Sequence, residues 1–115
     1  MTTEERETLL LMAEQYLYKP QELEQTFRVL VEQWREDTMM LSSIEKKVIH
    51  PAYQRIIGLG RQVVPLILHE LQARPSYWFW ALTAITGEDP TQPGDNVRKA
   101  VAAWVQWSEQ HGYTT

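Results

Sequence analysis

The chain has 115 residues and no cysteine, so disulfides and thiolate metal sites are excluded and a single modest core is expected. Its hydrophobic content of 43% is that of a folded globular domain, and its longest apolar runs fall far short of a bilayer span. The net charge of −4 disfavours nonspecific nucleic-acid binding by the molecule as a whole.

The charge is uneven. Residues 1–37 carry nine acids and four bases, residues 38–75 two acids and five bases, and residues 76–115 four acids and two bases. The basic middle holds Lys46, Lys47, Arg55, Arg61 and Arg74 without a dense cluster, the pattern of a solvated face. The opening MTTEERETLLLM is acidic where a secretory signal begins basic, and it reads as a cytoplasmic start.

Taken in chain order, Thr2 with Glu5 three residues on forms a capping-box signal. Leu9, Leu10, Ala13, Tyr16 and Leu17 then recur at helical spacing, up to the break at Lys19-Pro20. Pro20 suits the first turn of a second helix, whose apolar stripe is Leu23, Phe27, Leu30, Val31 and Trp34. The two form an N-terminal helical pair over residues 1–37. Residues 38–50 read as a loop with a short helical turn, capped by Ser42 with Glu45.

His50-Pro51 reads as an N-cap and first-turn pair, followed by Ala52, Tyr53, Ile56, Ile57 and Leu59, with Gly58 and Gly60 as punctuation. The next helix carries Val63, Val64, Ile67, Leu68 and Leu71; Pro65 is tolerable only in a first turn, which sets the start at residues 61–64. Ser76 caps an aromatic helix that stops at Gly87, and residues 87–95 form a loop. Asp95 caps a last helix bearing Val97, Ala100, Val101, Trp104, Val105 and Trp107, ended by Gly112. No stretch alternates as a strand. The fold class is therefore all-α: one domain, a compact bundle of about five helices with short connections.

The aromatic helix places Tyr77, Trp78, Phe79 and Trp80 side by side. At about 100° per residue, Trp78, Ala81, Leu82 and Ile85 share a face, while Trp80 projects away from it near Thr83. A helix apolar nearly all round predicts a central position with neighbours on at least two sides. The alternatives are that Trp80 or Tyr77 is an exposed anchor for a partner, or stacks on nucleic-acid bases.

Two resemblances follow from these motifs. Leu59-Gly60, then Val64-Pro65-Leu66-Ile67-Leu68 with Leu71, then Ala81-Leu82 and Ile85-Thr86-Gly87, resembles the helix-pair pattern of HEAT-type repeats. Bacterial proteins of that kind often end in a Trp-x-x-Trp helix, as Trp104 and Trp107 do here. The strings HPAYQRIIGLG, VPLILHEL and WFWALTAITGEDP also resemble a family of small bacterial proteins of uncharacterised activity. That likeness spans the chain from about Phe27, and the HEAT-type pattern implies HEAT-like helix pairs over residues 50–110. It carries no activity. Histidine is expected just before the Trp-Phe-Trp run in such proteins; here Tyr77 stands there, without a ring nitrogen. A solenoid buries its faces by stacking several repeats, and this chain holds roughly one and a half. Either the N-terminal helices close the bundle or an apolar face is left for another protein.

Chemical signatures are sparse. His69-Glu70 opens like a zinc-protease motif, but Ala73 stands where the second histidine belongs. His50, His69 and Glu70 make the one grouping a metal or an enzyme could use, and no spacing requires it; no cofactor is expected. Gly58-Leu59-Gly60 is no dinucleotide fingerprint, and the loop at 88–95 lacks the ligand order of an EF-hand. Ser42 and Ser43 have no nucleophile-elbow context, and the pairs Glu36-Asp37 and Glu88-Asp89 read as solvent-facing.

The sequence thus points to a non-enzymatic interaction module, an adaptor or small regulatory subunit, binding a protein partner or itself. Its expected contact residues are Trp34, Arg35, Tyr53, Tyr77 and Trp80. The alternative is a nucleic-acid-associated regulator encoded with a toxin or mobile element, placing Lys46, Lys47, Arg55 and Arg61 on phosphates. An enzyme centred on histidine and glutamate is the third reading. No membrane partner is expected.

Overall fold

The computed structural model describes residues 2–8, 19–74 and 77–113. Among these residues every regular element is helical. A first helical segment, α1, covers residues 3–8. It is followed by α2 (Pro20–Thr38), α3 (Ile44–Val48), α4 (Pro51–Gly58), a 3₁₀ turn (Gly60–Val63), α5 (Val64–Ala73), α6 (Trp78–Thr86) and α7 (Val97–Gln110). The expected stripe of Leu9, Leu10, Ala13, Tyr16 and Leu17 and the expected Ser76 cap lie outside the described residues.

Helix starts follow the punctuation. The Glu5 N–H donates to Thr2 Oγ1 at 3.1 Å. Pro20 and Pro51 open α2 and α4, and Pro65 sits in the first turn of α5. His50 caps α4 through Nδ1, which accepts the Ala52 N–H at 3.0 Å. Two caps differ from expectation by one residue. Ser43, not Ser42, caps α3, with its hydroxyl accepting the Lys46 N–H at 3.3 Å. Asn96, not Asp95, caps α7, with Oδ1 accepting the Lys99 N–H at 2.9 Å. In each case the capping residue is the extended one directly before the first helical turn.

The helix α2 packs on α4, α4 on α6, and α5 on both α6 and α7. The stripe Leu23, Phe27, Leu30, Val31 and Trp34 is buried as its spacing predicts. Trp78 sits at the centre. Its ring lies 6.0 Å from Phe27, 5.1 Å from Trp34 and 5.7 Å from Tyr53, the last pair stacked. The Tyr53 hydroxyl donates to the Tyr77 carbonyl at 2.5 Å and accepts the Ala81 N–H at 2.9 Å. Burial pushes that hydroxyl well above the usual tyrosine range, against a smaller opposing effect of the Ala81 hydrogen bond.

Tyr77, the residue before α6, is left-handed at φ 66° and offers no side-chain cap, so the Tyr53 hydroxyl ties down this helix start from across the core. At the other end Gly87 takes φ 74° and its N–H donates to the Thr83 carbonyl at 2.8 Å. A second aromatic group anchors α7: Trp107 stacks on His111 and Tyr113, and its Nε1 donates to Glu88 at 3.2 Å.

The helix α6 has neighbours on more than one side, as expected, but is not enclosed all round. Trp78, Ala81 and Leu82 are buried against α4, α5 and the 3₁₀ turn, but Trp80, Thr83 and Ala84 face outward. Val97, expected in the stripe of α7, is likewise exposed, in the first turn of that helix. A separate run of exposed apolar side chains, Met39, Met40, Leu41, Ile44 and Ile49, surrounds α3.

Candidate functional site

Two residues of helix rotation, about 200°, separate Trp80 from Trp78. With Trp78 fixed in the core, Trp80 must point away from it, and it is 61% exposed. Because α7 packs on α5, the outer face of α6 and the first turn of α7 are left flanking a groove of about 570 Å³. Its apolar lining is Phe79, Trp80, Ala84, Val97 and Ala100.

The loop between the two helices forms the rim and brings Asp89 and Asp95 to it. Both carboxylates are oriented by the loop itself. Asp89 Oδ1 accepts the Thr91 N–H at 3.0 Å and the Thr91 hydroxyl at 2.5 Å. Asp95 Oδ2 accepts the Gln92 N–H at 2.9 Å. Neither is ion-paired among the described residues. The groove therefore combines an aromatic wall, a shallow apolar floor and an acidic edge.

The five expected contact residues divide. Trp34 and Tyr53 are buried core residues, which corrects their assignment as surface anchors. Trp34 Nε1 donates to the Lys47 carbonyl at 2.8 Å, joining α2 to α3. Trp34, Arg35 and Tyr77 come together with Lys47 along a small cleft of about 270 Å³. There Lys47 Nζ lies 4.4 Å from the centre of the Tyr77 ring. Trp80 alone of the five reaches the larger groove.

Arg35 is committed elsewhere. With Arg28 it ion-pairs Glu70, a carboxylate on the buried side of α5. Burial by itself would raise the Glu70 carboxyl, but the guanidinium groups of Arg35 and Arg28 outweigh it and hold the group below the usual range.

The residues expected on phosphates do not converge. Lys46 is exposed on α3, Lys47 lies on Tyr77, and Arg55 lines a different cleft beside Glu22. Arg61 donates to the Thr86 carbonyl at 3.4 Å. His50 Nε2 meets Asp37 at 3.0 Å, His69 is exposed, and Glu70 is taken up by the two arginines. Among the described residues no group of three or more His, Cys, Asp or Glu is placed to hold a metal. No helix among them is long and apolar enough to cross a membrane.

Comparison with protein-family models, with curated proteins and with solved structures finds no match for this chain.

Two arrangements were not foreseen from the sequence. For the groove, the signal was an acid-only loop next to Trp80, followed by an apolar residue at the start of a helix. For the ion-pair net, it was one glutamate inside the apolar run of α5 and two arginines seven apart on α2.

Proposed function

We propose that the chain is a non-enzymatic helical interaction module of the cytoplasm, an adaptor or small regulatory subunit. It receives a protein partner in the groove between α6 and α7. The observation that carries this reading is the 61% exposure of Trp80 over an apolar groove that no other part of the described chain fills. A large exposed aromatic at a concave apolar surface is the usual composition of an interface anchor. The HEAT-like resemblance of α4 to α7 supports the same reading, since such helix pairs present surfaces to other proteins.

The test is affinity capture from the native host at moderate salt, with wild type and W80A in parallel. Nucleic acid and metals are measured in the same eluates. W80A melts with the wild type, to within about 0.5 kcal/mol, because an exposed side chain contributes little to the fold. The expected result is a stoichiometric protein held by wild type and lost by W80A. A partner retained equally by both, or co-purifying nucleic acid that accounts for the capture, overturns the proposal.

A further inference from the structure

Resting on that reading, we propose that the occupant of the groove is an amphipathic helix that sets a bulky apolar side chain beside lysine or arginine. The helical form follows from what the groove lacks. Its two long walls are helices, its rim is a loop, and the described residues hold no strand edge. Strand addition is therefore not available, and side chains must do the recognising, as when an amphipathic helix lies in a groove. Ala84 and Ala100 are the small lining residues, and the space over them takes the apolar anchor.

The charge of the partner follows from the rim. Asp89 and Asp95 line the groove without a cationic partner among the described residues. The nearest bases in sequence, Arg98 and Lys99, are each turned about 130° from the face shared by Val97 and Ala100, and neither ion-pairs a carboxylate of the edge. Neither lines the groove. The exposed Trp80 ring adds a surface on which a guanidinium or ammonium group is attracted by the π system. An acidic partner, nucleic acid included, is repelled from this face.

The experiment selects a displayed library of helical peptides on the intact protein, with counter-selection on W80A. Selected peptides are then titrated against wild type, W80A and the double variant D89N/D95N, at low and moderate salt. Asparagine keeps the side-chain oxygens that accept from Thr91 and Gln92, and melting curves check that the loop and fold persist. The expected peptides carry Lys or Arg next to Leu, Ile or Phe and bind the double variant roughly tenfold less tightly. Their affinity falls with salt on wild type and far less on the double variant.

Selected peptides without basic residues, extended proline-rich peptides, or binding indifferent to D89N/D95N overturn the cationic helix while leaving the module reading in place. Peptides that bind W80A as tightly as wild type, or no retained peptide at all, overturn the groove as the docking surface.

Discussion

Glu70 is a carboxylate placed among apolar neighbours on α5, with 4% of its surface exposed. It stays charged because Arg35 and Arg28 reach across from α2. The unfolded carboxyl titrates near the ordinary glutamate value, about 4.3, and the folded one lies lower. A depressed carboxylate contributes stability that is fully present above the unfolded value and is lost as pH falls through the folded one. E70Q keeps the shape and removes the charge. It is expected to flatten the acid limb of the stability curve below about pH 4.5, and to cost roughly 1–3 kcal/mol at neutral pH. Denaturant titrations of both proteins from neutral to acid pH check this, and superimposable acid limbs would show that Glu70 is not responsible. The components of the net were legible one at a time, as two arginines two helical turns apart and a glutamate in an apolar run. Their pairing joins residues 28 and 70, and no local pattern encodes which distant elements meet. The same limit explains Trp34 and Tyr53: side-chain size marks them as important, and only packing separates a core ring from a surface anchor.

At the scale of elements, the starts and stops were the most legible part of the fold. Proline fixes φ and lacks an N–H, so Pro20, Pro51 and Pro65 can sit only near helix starts, and they do. Gly87 closes α6 because a left-handed residue is needed there. Caps slipped by one position at Ser43 and Asn96 because each has a neighbour of equal capping ability, and backbone conformation decides between them. His50 gives the sharpest test of capping. Nδ1 accepts from Ala52, which leaves the other ring nitrogen to donate to Asp37 on the last turn of α2. H50A loses both the cap and the tie, and is expected to cost about 1 kcal/mol or somewhat more. H50N preserves a capping oxygen and should recover most of that loss. Denaturant midpoints of the three proteins decide it; an H50N as unstable as H50A would mean that the link between α2 and α4, not the cap, carries the stability.

Over the whole molecule, α2, α4 and α6 converge on one aromatic centre, while α7 packs on α5 and adds Trp104 and Trp107 to the same core. That arrangement leaves the groove: α6 gives one face to the centre and α7 gives one face to α5, and among the described residues nothing covers the surfaces between them. The all-helical class and the helix order were readable from spacing. The groove was not, because it depends on where α7 docks, and its stripe alone would have turned Val97 inward.

The burial pattern has a spectroscopic consequence. Trp34, Trp78, Trp104 and Trp107 are buried, none more than 4% exposed, whereas Trp80 stands open to water. A neutral quencher such as acrylamide should reach one emitter, the one with the reddest emission. W80F should abolish that fraction and leave a blue-shifted, weakly quenched spectrum; a strongly quenched fraction surviving in W80F would contradict the burial of the other four. Any ligand that seats against α6 should then announce itself by shielding Trp80 and moving its emission to shorter wavelength, so that the protein serves as its own unlabelled sensor of occupancy.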